Sequence, residues 1–214
     1  AGFVNQIPMA GFNAQRSFIV EGRPLPPVGK RESNLAGFRV ASPGYFGAAA
    51  IPLRSGRLLA DADDTRVPPV VVVNETLARR SWPGEDPVGR RIALATGPDA
   101  FSPWMTVVGV VGDLRHLGLR ADPQPELFVP LGGADTGRAY LVAHTTAPSP
   151  ALARALRRAV AALDPEVPVG TVQGMDDLVE EESIGRVRIS SRLLLASAAL
   201  ALLIAVVGLY GLGS

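Results

Sequence analysis

The chain has 214 residues, of which 47% are hydrophobic and 19% charged, with a net charge of +1 and no cysteine. That length fits one ordinary domain or a small pair, with enough apolar content for a packed core. A balance so close to neutral gives no electrostatic footprint for nucleic acid, and the missing cysteines exclude disulfides, thiolate zinc sites and a cysteine nucleophile.

The opening AGFVNQIPMAG has neither the basic start nor the apolar run of a signal peptide, so a piece of a longer protein, or one trimmed upstream, is expected. Ser17–Glu21 reads as a strand, and GRPLPPVGKRES after it as an extended connector. Phe38–Ala41 is a short strand. Ser42-Pro43 then places a hydroxyl N-cap and a first-turn proline ahead of a short helix through Tyr45 and Phe46, stopped at Ile51-Pro52.

Val70–Val73 is a run of β-branched residues, which predicts a strand buried on both faces. Asn74 caps the following helix, Glu75 complements its dipole, and Pro83-Gly84 ends it at Trp82. Val88–Leu94, Met105–Gly112 and Glu126–Pro130 are strand-like, with turns between them and no helical periodicity. Ala139–Thr145 opens another strand–helix–strand run. Ser149-Pro150 starts its helix, Leu152, Leu156, Val160 and Leu163 form one stripe, and Arg154, Arg157 and Arg158 lie off it. Asp164-Pro165 ends the helix, and Val167–Val172 is the expected return strand. Two β-α-β-α halves flanking a β-rich stretch predict an α+β sandwich with helices over one face of a sheet, plus a smaller β subdomain. A last helix from about Met175 is expected to run on without a proline.

The final segment, Leu193–Ser214, is uncharged, whereas Leu178–Arg192 carries Glu180, Glu181, Glu182, Arg186, Arg188 and Arg192. Leu193–Leu212, about 30 Å long as a helix, matches the hydrocarbon core of a bilayer. Its Ala, Gly and Ser content suits close packing against other membrane helices, so a span is expected there. Arg186, Arg188 and Arg192 lean towards a cytoplasmic position for the preceding domain.

The chemistry-bearing patterns are sparse. Gly29-Lys30 lacks the spacing of a phosphate-binding loop, and GVVGDLRHLG has the wrong spacing for one. His116 and His144 are the only histidines, too few for a zinc site without distant carboxylates. Asp61, Asp63 and Asp64 resemble the start of a calcium loop, but the sixth and twelfth positions hold Arg66 and Val72. No serine sits in a nucleophile elbow, and Asp176-Asp177 and Glu180–Glu182 fall on a solvated helix. The residues point away from an enzyme.

Several segments in order resemble the extracytoplasmic domain of MacB/FtsX-type ABC transporter permeases. They are VASPGYFGAAAIPLRSGR (40–57), VVVVNETLARRSWPGEDPVGRRI (70–92), WMTVVGVVGDLRHLGL (104–119), PELFVP (125–130), ARALRRAVAALDPEVPV (153–169) and the entry into LLLASAALALLIAVVGLYGL. The chain looks most similar to the duplicated or orphaned bacterial permeases, which tend to be encoded without their own ATPase domain.

The resemblance implies a porter-like α+β subdomain from 36–87 and 138–185, with a small β-rich subdomain, 88–137, inserted between its halves. Residues 1–35 would lead in from a preceding membrane helix, and 186–214 would form a juxtamembrane segment and the start of a transmembrane helix. Residues 1–192 would then stand outside the bacterial cytoplasmic membrane. Arg186, Arg188 and Arg192 would act as headgroup anchors, with Leu193, Leu200, Leu203 and Tyr210 in the span.

It also implies mechanotransmission, in which cytoplasmic ATP hydrolysis moves extracytoplasmic domains for export or for lipoprotein or cell-wall work. The implied partners are an ABC-type ATPase subunit, a second permease copy, a periplasmic adaptor or substrate protein, and the membrane. No cofactor is expected in this chain, since ATP would be bound by a separate ATPase domain or subunit. The alternatives are a tail-anchored binding module on the cytosolic face and an enzyme whose site the sequence does not reveal.

Overall fold

The computed structural model describes residues 1–8, 14–24, 34–65, 67–97, 100–114, 122–133, 139–145 and 150–174. Two compact units are distinguished, Ala1–Pro148 and Ser149–Ser214.

The first unit contains β1 (Gly2–Val4), β2 (Gln15–Val20), β3 (Leu35–Val40), α1 (Pro43–Ala48), β4 (Leu53–Gly56), β5 (Val70–Asn74) and α2 (Glu75–Ser81), followed by β6 (Arg91–Leu94), β7 (Met105–Val111), β8 (Glu126–Val129) and β9 (Tyr140–Val142). Short 3₁₀ turns occur at Asp61–Asp63 and Leu131–Gly133. Seven strands form one sheet in the order β4-β7-β5-β8-β3-β2-β6, and β6 also pairs with β7. The pairings therefore close into a ring of six strands, β7-β5-β8-β3-β2-β6, which leaves β4 outside it.

Strand β7 makes the closure possible because it is long enough to hold two neighbours in tandem on one side. Its start, Met105 and Thr106, pairs with β6, and its end, Gly109 to Val111, pairs with β4. On its other side it runs parallel to β5, with a register shift between Val71 and Val72 opposite Val107 and Gly109. The extra residue, Val108, reverses the alternation of side chains along β7. Met105, Val107 and Val110 consequently enter one core, and Val111 enters the other.

The first core takes side chains from all six ring strands, among them Phe18, Val40, Val71, Ile92, Val107 and Leu127, and is the inside of the ring; Leu77, Ala78 and Trp82 join it from α2. The second core lies on the opposite face, where Val70, Val72 and Phe128 meet Val4, Tyr45 and Phe46. Phe46 and Phe128 pack edge to face with centroids 5.3 Å apart. Every residue of β5 is buried, because the strand supplies both cores.

Two expectations change here. Helices α1 and α2 lie on opposite faces of β5 rather than over one face, since Val70 and Val72 alternate with Val71 and Val73. Strands β6, β7 and β8, from the stretch expected to be a separate insert (88–137), are hydrogen-bonded into the ring with β3 and β5. Turn residues mark where strands end but carry no information on which distant strand each one joins. β1 and β9, outside the ring, form a two-stranded antiparallel ribbon, with Val4 bridging to Ala41.

Local signals explain the helices. Asn74 Oδ1 accepts a hydrogen bond from the Leu77 amide, Glu75 lies in the first turn of α2, and Arg79 and Arg80 lie in its last turn. Helix α1 begins at Pro43 as expected, but Ser42 makes no side-chain cap; its Oγ accepts from the Phe3 amide instead, at 2.8 Å.

In the second unit, α3 (Pro150–Leu163) starts at the expected proline. Leu152, Leu156 and Val160 are half-buried, Arg154, Arg157 and Arg158 are exposed, and Leu163 is 88% exposed. The return strand expected at Val167–Val172 is not formed. Pro168 removes a backbone donor from that stretch, and the Asp164 side chain just before it accepts from the Glu166 amide in a turn. Among the described residues no helix is long and apolar enough to cross a membrane. The span expected at Leu193–Leu212 lies outside the described residues.

Candidate functional site

On the outer face of β3 the side chains alternate Gly37, Arg39 and then Ala41, and parallel pairing sets Gly37 opposite Glu126 of β8. Arg39 and Glu126 are both completely buried, and Arg39 Nη2 donates to Glu126 Oε1 at 3.0 Å. Glycine at position 37 makes the space. A Cβ there would sit 3.1 Å from Glu126 Oε1 and 3.2 Å from Arg39 Nη2.

The pair is the centre of a longer polar tie. Arg39 Nη1 donates to Gln6 Oε1 at 2.9 Å, and the same oxygen accepts from the Ala14 amide at 3.0 Å. On the other side, Asn74 Oδ1 accepts from the Glu126 amide as well as the Leu77 amide, both at 2.9 Å, while its Nδ2 donates to the Gln124 carbonyl at 2.8 Å. Asp113, just past β7, takes hydrogen bonds from the Thr76 amide and hydroxyl at 2.9 and 2.7 Å, and from Arg79 at 3.1 Å. The tie thus runs from the N-terminal segment through β3 and β8 to the Leu77 amide at the start of α2.

Burial of this kind is costly, since each ion loses several kcal/mol of hydration and only close pairing offsets it. Its benefit is positional: a bidentate-capable guanidinium fixes two strands in one register. Tyr45 is buried beside the pair, and its hydroxyl has no hydrogen-bond partner among the described residues. Burial pushes its pKa well above the ordinary 10.0; the negative charge of Glu126 acts in the same direction, and Arg39 opposes them. A second, more exposed tie joins Arg57 to Asp63 through two hydrogen bonds of 2.6 and 2.9 Å, and Asp63 also accepts from the Ala60 amide. Hydrogen bonding to Asp63 raises the Arg57 pKa above its usual value, against a small opposing effect of burial.

The residues singled out from sequence fall differently. Arg186, Arg188, Arg192, Leu193, Leu200, Leu203 and Tyr210 lie outside the described residues, as do His116, Asp176-Asp177 and Glu180–Glu182. His144 is exposed after β9. Of the three aspartates that resembled a calcium loop, Asp63 is buried against Arg57, Asp64 Oδ1 accepts from the Gly132 amide at 3.1 Å, and Asp61 is exposed. Among the described residues no group of three or more acidic or histidine side chains could hold a metal ion. Gly109 packs against the backbone of Arg57 at the β4–β7 crossing and lines no phosphate loop. The Arg39–Glu126 tie was not anticipated. The available signal was a charged residue inside each of two otherwise apolar strands, FRVA and ELFV, with a glycine two positions before the arginine.

The arrangement holds segments together. Comparison with known proteins gives it a context. The sequence profile of the MacB-like periplasmic core domain matches residues 11–174. Among curated proteins none matches the chain. Solved structures are similar as well, among them the following three. The periplasmic region of MacB from Actinobacillus actinomycetemcomitans is 18% identical with a TM-score of 0.49, over 71% of this chain and 64% of that one. A domain assigned to a permease protein of Porphyromonas gingivalis is 17% identical with a TM-score of 0.48, over 81% and 78%. The extracellular domain of the noncanonic ABC-type transporter YknZ from Gram-positive bacteria is 13% identical with a TM-score of 0.40, over 64% and 68%. The chain thus spans just under two thirds of the MacB region it matches. With the family profile covering most of its length, the chain belongs to the family of MacB-like periplasmic core domains, extracytoplasmic parts of ABC transporter permeases.

Proposed function

We propose that this chain transmits mechanical work: ATP hydrolysis at a separate cytoplasmic ABC-type ATPase subunit moves the domain outside the membrane. The observation that carries the reading is the family match over 11–174 followed, in sequence, by the uncharged run Leu193–Ser214. On this reading residues 1–35 lead in from a preceding membrane helix. Arg186, Arg188 and Arg192 anchor at headgroups, Leu193, Leu200, Leu203 and Tyr210 lie in the next span, and a second permease copy completes a dimer. The domain works on an exported substrate, a lipoprotein or a cell-wall enzyme, with or without an adaptor. The buried tie suits such work, because a domain that carries displacement needs its strands and entry segment fixed to one another.

Residues 175–214 contain no proline, so a continuous helix can carry displacement from the domain into the membrane. Ser190→Pro in the full-length permease tests this. Uncoupling of ATP hydrolysis from transport, with the domain still folded, is expected. Wild-type coupling in that variant would dismiss the rigid connection. A tail-anchored module on the cytosolic face is the second reading, favoured by Arg186, Arg188 and Arg192 under the positive-inside rule.

A further inference from the structure

We propose that the arginine face of α3 docks the acidic stretch DDLVEEE (176–182) of this same chain, which fastens the segment leading to Leu193–Ser214 back onto α3. Helix α3 carries Arg154, Arg157 and Arg158 exposed and contains no acidic residue. These three have no ion pair among the described residues. Exposed arginines of the first unit do have one: Arg54 lies 3.4 Å from Glu75, and Arg90 lies 2.7 Å from Glu85. The helix dipole does not account for the three, because no basic residue falls in the last turn of α3. Arg154 stands three and four positions before Arg157 and Arg158, so like charges meet on one face and weaken the helix by itself. Such a concentration of guanidiniums fits an anionic partner.

The sequence supplies that partner close by. Asp176, Asp177 and Glu180 to Glu182 crowd carboxylates into 176–182 with no basic residue among them. On the helix expected from about Met175, Asp176 and Asp177 share a face with Glu180 and Glu181, four positions on. Arg154 and Arg158 have the same spacing, about 6 Å along a helix, so two arginines meet two carboxylates at once whichever way the segments run. The connection also reaches. The chain turns directly after α3, where the Val167 amide donates to the Asp164 carbonyl at 3.4 Å. Residues 164–175 can span about 40 Å at most, against about 14 Å from Leu163 back to Arg154. A tether of this length keeps the two faces at an effective concentration in the millimolar range, so several weak surface pairs hold where one alone does not. Docking ties the segment ahead of Ser190 to α3, and it goes beyond the transmission reading because it holds on either side of a membrane.

Zero-length cross-linking of the full-length permease in lipid nanodiscs, mapped by mass spectrometry, tests the docking. Arg154→Lys, Arg157→Lys and Arg158→Lys together keep the charge and supply amines that a carbodiimide joins to carboxylates in contact. Lys30, the single lysine of the chain, gives the background. The expected product is a link within one chain between α3 and 176–182, at least tenfold above links from Lys30 and reduced at least threefold in about 0.5 M salt. Links from α3 mainly to other carboxylates, to a second copy, or to none overturn the proposal. Hydrogen exchange across 176–182 gives a second measurement that needs no added lysine. Arg154→Glu with Arg158→Glu is expected to speed it at least tenfold, and adding Asp177→Arg with Glu181→Arg to restore it. Unchanged exchange in the first variant, or no recovery in the second, also overturns the docking. Neither measurement reads ATPase coupling, so the transmission reading stands or falls separately, on Ser190→Pro.

Discussion

Replacing Glu126 by alanine removes the carboxylate 3.0 Å from a guanidinium that has no exposure to water. Arg39 lies on the outer face of β3 with no exposure to water, so its charge stays buried without the carboxylate that faces it. Breaking a buried pair in this way costs about 3–5 kcal/mol, a large part of the roughly 5–15 kcal/mol that holds a domain folded. At about 2–4 °C per kcal/mol for a chain of this size, the melting temperature should fall by about 6–20 °C. Thermal melts of the full chain in mild detergent, followed by circular dichroism, read the shift. Arg39→Met combined with Glu126→Leu removes both charges at once and should recover most of the loss, because apolar replacement of a buried pair is often neutral. The double-mutant cycle then isolates the coupling. A Glu126→Ala loss below about 1 kcal/mol would refute the reasoning, since it would mean that Arg39 finds water or another anion.

Asn74→Ala leaves the amides of Leu77 and Glu126 without their shared acceptor and the Gln124 carbonyl without its donor. We expect a loss of about 2–4 kcal/mol by denaturant titration, well beyond an exposed helix cap. Tyr45→Phe removes a buried hydroxyl that has no partner among the described residues, and should be neutral or stabilising by up to about 1 kcal/mol. Because the folded pKa of Tyr45 lies above the unfolded 10.0, its contribution is intact below pH 10.0 and lost as the pH rises further; alkaline melts of Tyr45→Phe should show a shallower decline. Ala50 leaves α1 with φ of 53°, a left-handed conformation, so Ala50→Gly should stabilise by about 0.5–1 kcal/mol in the same titration.

The sequence was informative where the cause of structure is local. Asn74 before Glu75, four valines in a row, Pro43, Pro150 and the Pro83-Gly84 stop each act within one turn or one strand, and each marks an observed boundary. What escaped is non-local. The hydrogen bond joining Arg39 and Glu126 spans 87 positions of chain, and nothing in the residues between indicates that β3 and β8 will be parallel neighbours. The ring closes through the double pairing of β7, which depends on the bulge at Val108 rather than on periodicity. Ser42 illustrates competition: the expected cap was a sound local choice, but Phe3, distant in sequence, claimed the hydroxyl. Arg186 to Tyr210, proposed to anchor and couple, lie outside the described residues.

The central claim, a domain standing outside the cytoplasmic membrane, is tested most directly by where one surface residue can be reached. Thr65 is exposed and the chain has no cysteine, so Thr65→Cys in a parent permease cleared of other cysteines gives a single reactive site. Intact cells, with any outer membrane permeabilised, are treated with a membrane-impermeant maleimide. Labelling before lysis is the expected result; labelling only after lysis would contradict the account and place the domain in the cytosol.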